Sequence, residues 1–156
     1  MIDAFLSAVP LPERVLGVET PFCISIDDAT TGGVLPVPLI GAVDAIVVEN
    51  GKPVIWELKT AAKKWSRDQT EVDQQCTAYI QAMREEGCPD VTAKLVITTK
   101  TATPAVQIEP VPRTKADERE LAITAGSVLR AVEAGVDHPI RSWACRSCPF
   151  AGECRS

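Results

Sequence analysis

The stretch Val37-Pro-Leu-Ile-Gly41-Ala-Val-Asp44-Ala-Ile-Val-Val-Glu49-Asn50-Gly51-Lys52-Pro-Val-Ile-Trp56-Glu57-Leu58-Lys59-Thr60 decides the fold. Branched residues fill both halves. Between them, Asn50-Gly51 supplies the left-handed backbone that a two-residue hairpin turn needs. With that turn as pivot, partners across the hairpin have residue numbers summing to 101, which sets Asp44 opposite Glu57 or a neighbour. Side chains alternate along a strand, so Ile55, Glu57 and Lys59 share one face while Trp56, Leu58 and Thr60 share the other. Two carboxylates rooted about 5 Å apart repel by roughly 4 kcal/mol at an effective dielectric of about 20. The pair therefore calls for a cation. A hard divalent ion, Mg²⁺ or Mn²⁺, takes carboxylate oxygens, water and phosphate, and the peptide oxygen of Leu58 is a further available donor. The competing reading is an exposed Glu–Lys ion pair on a surface hairpin, which would contribute little.

Working outward, Arg14 to Ile26 reads as a first strand ending at the Thr30–Gly33 turn. After the hairpin, Asp68 with Glu71 forms a capping-box pattern. Val72, Cys76, Ile80 and Met83 follow at helical spacing up to the stop at Gly87. Thr92–Thr99 and Ala105–Val111 read as two more strands joined through Thr-Ala-Thr-Pro. Thr114 with Asp117 opens a last helix whose stripe Leu121, Ala125, Val128, Leu129 and Val132 ends before Gly135. This order predicts an α/β fold in which a three-strand antiparallel meander sits in a central mixed sheet flanked by helices. A length of 156 residues fits one domain, 1–156, with the cysteine-rich run 141–156 as a clasp at its end.

Composition narrows the function classes. No apolar run approaches the roughly 18 residues of a membrane span, and the first residues lack a secretory pattern, so the cytoplasm is expected. Six cysteines there are ligands or buried thiols rather than a disulfide framework. A formal net charge of −5 excludes a protein coated in positive potential. Any nucleic-acid contact must be local, and Lys59, Lys63, Lys64 and Arg67 around Trp65 offer cations for phosphates and a ring for a base. A solvated charged loop is the alternative.

Three motifs in order, Gly41-Ala-Val-Asp44, Glu57-Leu58-Lys59 and Gln75-Cys-Thr-Ala-Tyr79, resemble the G-x-x-D, (D/E)-x-K and Q-x-x-x-Y signatures of the PD-(D/E)XK nuclease superfamily, specifically its RecB-like branch. The resemblance runs from about residue 15 to the C-terminus. It implies a restriction-endonuclease-like core, Asp44 and Glu57 (with Leu58) as metal ligands, Lys59 in catalysis, and Gln75 and Tyr79 facing site and DNA. Similarity to CRISPR-associated RecB-like exonucleases and AddB-type nuclease domains further implies a structural [4Fe–4S] cluster. Its ligands would be Cys145, Cys148 and Cys154, with Cys23 as the fourth. Relatives often carry a histidine before the first motif. Here Glu19 is the available stand-in, because the single histidine, His138, comes late; zinc accepts a Cys₃His set, but the spacing from His138 to Cys145 is not a standard one and favours an exposed helix-end histidine. Cys76 and Cys88 receive no role.

The implied activity is a metal-dependent deoxyribonuclease, an exonuclease on single-stranded DNA or duplex ends, serving recombination, repair, phage replication or spacer acquisition with DNA and a possible protein partner. Two other expectations compete with it: a non-catalytic DNA-end-binding adaptor, and a zinc-stabilised scaffold without nucleic acid.

Overall fold

A computed structural model describes residues 1–136 and 141–155. In chain order it contains α1 (Ile2–Ala8), β1 (Arg14–Ile24), β2 (Leu39–Glu49), β3 (Lys52–Ala61), α2 (Arg67–Glu71), α3 (Gln75–Glu85), β4 (Thr92–Thr99), β5 (Val106–Pro110) and α4 (Lys115–Glu133). Single 3₁₀ turns follow at Trp143–Arg146 and Glu153–Arg155. The five strands form one sheet in the order β1-β2-β3-β4-β5.

The hairpin behaves as its turn dictates. Asn50 (φ 50°) and Gly51 (φ 71°) are both left-handed, and the pairs Ala45–Trp56, Ile46–Ile55, Val47–Val54, Val48–Pro53 and Glu49–Lys52 all sum to 101. β1 joins β2 antiparallel, with a bulge between Val15 and Gly17. The chain then crosses over through α2 and α3, so β4 runs parallel to β3 from Val54–Thr92 to Ala61–Thr99. β5 returns antiparallel on β4. The result is the expected mixed sheet with a three-strand meander.

Each face of the sheet has its own apolar layer. Phe22, Ile24, Ile46, Ile55, Leu95 and Ile97 pack beneath α3 and α4, which supply Cys76, Tyr79, Ile80, Met83 and Leu121. On the reverse face Ala45, Val47, Val54, Trp56 and Val96 meet Val9 and, at the edge, Phe5 of α1. A wholly buried side chain such as Leu95 contributes about 1.5–3 kcal/mol by leaving water, and truncating it to Ala costs about 2–5 kcal/mol.

The helix expected to run on from Asp68 is two helices. α2 is capped by Ser66, whose side chain and Gln69 form the capping box. The Asp73 carboxylate then accepts the N–H groups of Gln75 (3.0 Å) and Cys76 (3.4 Å) and starts α3 afresh. An acceptor that satisfies free N–H groups favours a helix start over a helix interior. Val72, read as a core position, is 74% exposed as a consequence.

Candidate active site

Asp44 and Glu57 stand where the hairpin ladder ends. The β2–β3 pairs stop at Ala45–Trp56. Beyond them β2 pairs on toward Leu39 with β1 alone, and β3 toward Ala61 with β4 alone. The two strands fork. In place of the next backbone rung, the Asp44 carboxylate accepts the Leu58 N–H at 2.8 Å. Leu58, expected to serve through its carbonyl, thus fixes the first acid through its amide, while its side chain is exposed.

The second acid lies inside the fork. Glu57 is 2% exposed; its Oε1 pairs with the Lys59 ammonium, and its Oε2 is buried with no hydrogen-bond partner. Burial pushes the Glu57 carboxyl above its ordinary range, Lys59 pulls it back, and neighbouring Asp44 pushes it up again, leaving it raised. A buried orphan oxygen costs about 1–3 kcal/mol. Desolvation works to lower Lys59, but the bond and charge of Glu57, with Asp73 and Asp44 beyond, outweigh it and hold the ammonium protonated above its usual range.

α3 completes the wall. Gln75 Oε1 accepts the Lys59 ammonium at 2.5 Å, and Gln75 Nε2 donates to the Tyr79 hydroxyl at 2.5 Å. One helical turn separates the two residues, so both reach the same side. Buried Tyr79 is pushed up to about 12, first by burial, against the lowering bond from Gln75, and its ring meets Phe22 edge-on with centroids 5.6 Å apart. The motif glycine has a steric reason: a Cβ on Gly41 would lie 2.7 Å from the Phe22 ring that packs on Tyr79. The neighbouring Cys76 thiol, raised to about 12 by burial, is inert.

Asp44, Glu57, Lys59, Gln75 and Tyr79 are therefore one connected network. Its donor set fits a hard divalent cation, which takes one or two carboxylates with water and phosphate, and the Glu57 oxygen without a partner is the atom such an ion would satisfy. Among the described residues no three His, Cys, Asp or Glu side chains form a metal-holding group. Glu19 stands in register opposite Asp44, since Val18–Ala45 and Thr20–Val43 bracket it. Its φ of 49° is left-handed, but its side chain is exposed and is not gathered with the two acids.

The four-cysteine set is not assembled. Cys145, Cys148 and Cys154 line one hollow of about 210 Å³, yet they too do not form a metal-holding group. Cys145 Sγ accepts the Ser142 N–H at 3.2 Å. Cys23 is exposed on edge strand β1, opposite Ile40, because alternation turns Phe22 and Ile24 inward. His138 lies outside the described residues.

The basic cluster divides as well. Lys63 and Lys64 are exposed, whereas Trp65 is half-buried and packs against the core. Arg67 bonds Glu71 at 2.6 Å on the surface of α2. Asp73 and Arg113 went unread in the sequence. Arg113 donates to the carbonyls of Asp73 (2.6 Å) and Thr70 (3.2 Å) and to Thr77 Oγ1 (2.9 Å), tying the α2–α3 connection in place. The signal for Asp73 was its position just before the glutamine motif, where an Asp caps a helix; nothing local signalled Arg113.

A mixed sheet whose forked strands carry two acids and a lysine beneath a helix-borne glutamine defines a class of α/β proteins with a two-carboxylate, one-lysine site. The sequence matches the PD-(D/E)XK nuclease superfamily over residues 1–155, and the chain belongs to that superfamily. Among solved structures, SSO0001 is similar in fold, with a TM-score of 0.52 and 22% identity, across 88% of this chain and 59% of that one. A protein from Eubacterium rectale that bears an exonuclease designation aligns with a TM-score of 0.49 and 15% identity, over 89% of this chain and 51% of its own. The chain thus spans little more than half the length of these structures. No curated protein matches it. No helix among the described residues is long and apolar enough to cross a membrane.

Proposed function

We propose that the chain is a metal-dependent deoxyribonuclease of the RecB-like branch, an exonuclease that hydrolyses phosphodiester bonds of single-stranded DNA or duplex ends. The observation that carries this reading is the buried, partnerless Oε2 of Glu57, set beside Asp44 and the Lys59 ammonium. An unpaired buried carboxylate oxygen carries an electrostatic cost, and a positively charged occupant beside Asp44 is the group that would offset it for both acids at once.

A bound Mg²⁺ or Mn²⁺ supplies charge that lowers the pKa of a water and shields the scissile phosphate. Asp44, pinned by the Leu58 amide, and Glu57 would hold it. Lys59, protonated through neutral pH, directs its ammonium at the attacking water and at the negative charge that develops on the phosphoryl oxygens. Gln75 fixes that ammonium from one side, and the protonated Tyr79 hydroxyl, bonded to the Gln75 amide, fixes Gln75. Lys63 and Lys64 lie next along the chain and contact flanking phosphates. As described, the cysteines do not fit a [4Fe–4S] cluster, and no part of this reading rests on one. Iron analysis of the purified protein beside Cys148→Ser is the direct check.

The test is Mn²⁺-dependent degradation of end-labelled single strands, with each terminus blocked in turn. Glu57→Ala and Lys59→Ala should abolish degradation while circular dichroism stays unchanged. Undiminished cleavage by both variants would falsify the site. DNA binding by the unaltered protein with no cleavage in Mg²⁺ or Mn²⁺ would establish the adaptor reading instead.

A further inference from the structure

We propose that Gln107 of β5 is a positioning residue that holds the β3–α2 loop so that Lys63 and Lys64 face the phosphates flanking the cleaved bond. This deepens the nuclease reading and rests on it. The Gln107 side chain acts as a strand rung. Its Oε1 accepts the Trp65 N–H at 2.9 Å, and its Nε2 donates to the Trp65 carbonyl at 3.0 Å. A second donation from Nε2, to Glu109 Oε1 at 3.1 Å, uses the remaining amide hydrogen. The orientation of the amide is settled by this arrangement, because the flipped form would set two donors and then two acceptors against each other.

The loop has a second anchor at its start, where the Lys100 N–H donates to the Ala61 carbonyl at 2.7 Å. The Trp65 ring, packed against the core, supplies a third. Between these anchors only Ala62, Lys63 and Lys64 are unrestrained, and all three are exposed. Even fully extended chain carries Lys64 no more than roughly 18 Å from Lys59, so the two ammonium groups stay within a few nucleotides of the acid pair. A side-chain clamp suits this task. It fixes a peptide without extending the sheet, and a longer β5 would cover the loop that has to meet DNA. Two lysines held in place also lose less freedom on binding than two on a slack loop.

The experiment compares unaltered protein, Gln107→Ala, Gln107→Glu, Lys63→Ala/Lys64→Ala and the Gln107→Ala combination, using a fluorescein-labelled oligodeoxynucleotide. Binding is read in EDTA across a salt series, and turnover in Mn²⁺. Gln107→Ala should raise Kd and KM about fivefold to tenfold, the scale of one or two net hydrogen bonds, with kcat changing little. Its log Kd against log salt slope should fall by about 1, as for one lost phosphate contact. The lysine replacements should cost less in the Gln107→Ala background than alone, since both act through the same contacts. Gln107→Glu, which cannot donate to the Trp65 carbonyl, should resemble Gln107→Ala.

Trypsin provides a readout that needs no DNA: well below the melting transition, which one or two lost hydrogen bonds lower by only a few degrees, cleavage after Lys63 and Lys64 should accelerate in Gln107→Ala. Unchanged cleavage there, a fall in kcat at constant KM, or fully additive losses would each overturn the proposal. Faster cleavage in a protein that neither binds nor degrades DNA would also overturn it, and would trace the failure to the nuclease reading and not to the clamp.

Discussion

Replacing Glu57 by glutamine separates stability from activity at a single atom. Glu57 is buried, one of its oxygens has no partner, and its carboxyl is raised by burial and by Asp44 more than Lys59 lowers it. A carboxyl raised in the folded state binds more protons there than in the unfolded chain, so stability falls as pH climbs through and above the ordinary glutamate range. The metal-free protein carries this penalty increasingly as pH rises above the ordinary glutamate range. The Glu57→Gln side chain lacks the charge, and its amide presents a donor toward Asp44. The expected gain at pH 7 in EDTA is about 1–3 kcal/mol, the cost of one unsatisfied buried polar group. For a chain of this size that raises the melting temperature by roughly 3–9 °C. The gain should vanish near pH 4, where Glu57 is protonated in the unaltered protein too. Mn²⁺ should stabilise the unaltered protein but not the variant, and DNA degradation should fall by roughly 10²–10³-fold, the scale of one lost electrostatic contact in a transition state. Calorimetry in EDTA and in Mn²⁺ at both pH values, beside the DNA assay, reads all of this. A lower melting temperature for Glu57→Gln at pH 7 without metal would mean that pairing with Lys59 dominates, and the reasoning would be refuted.

Other substitutions probe the rest of the network. Lys59→Met should lower neutral-pH stability by about 3 kcal/mol or more, because it strands the buried Glu57 charge, and should abolish turnover; thermal unfolding beside the DNA assay checks both. Tyr79→Phe removes the acceptor of the Gln75 amide and should cost about 1 kcal/mol, measured by urea unfolding, with a partial loss of kcat. Gly41→Ala drives a methyl into the Phe22 ring and should destabilise by about 1–3 kcal/mol, visible as a lower urea midpoint. Arg113→Ala frees the Thr70 and Asp73 carbonyls. It should accelerate hydrogen exchange across the α2–α3 connection before it lowers global stability.

The hairpin was legible because a period-two pattern and an Asn-Gly turn each fix register independently, and they agreed to the residue at Ala45–Trp56. Asp44, Glu57 and Lys59 followed from that register, whereas Gln75 and Tyr79 came from the resemblance to the nuclease superfamily's glutamine–tyrosine signature, with their spacing of four residues placing both on one helix face. The α2–α3 break was not legible, because Val72, Cys76, Ile80 and Met83 match one continuous period. What interrupts it is a side chain, Asp73, whose preference for a helix cap is outweighed in the sequence by that continuous apolar period. Arg113 was invisible for a different reason. Its partners are the backbone carbonyls of Thr70 and Asp73, which leave no mark in the residue types. Trp65 illustrates a third limit: composition puts an aromatic among lysines, but only packing decides whether its ring faces a base or the core.

The fork explains why the acids sit where they do. In a continuous antiparallel ladder Asp44 and Glu57 would be cross-strand neighbours with their backbones fully paired, and two carboxylates at that spacing would repel with nothing between them. Ending the β2–β3 ladder at Ala45–Trp56 frees the two acids from a backbone-paired, directly opposed arrangement. The parting leaves the Leu58 amide without a β2 carbonyl, and the Asp44 carboxylate takes that place, so one acid becomes part of the sheet's own hydrogen bonding while the other stays buried, paired with Lys59 through one oxygen and without a partner at the other. β4 supports β3 on its far side through Ala61, which keeps the fork from closing by collapse. The electrostatic cost at Glu57 is thus tolerated by a sheet that pairs β3 with β4 on its far side, and under the proposed function a cation entering between the strands would recover that cost as binding energy.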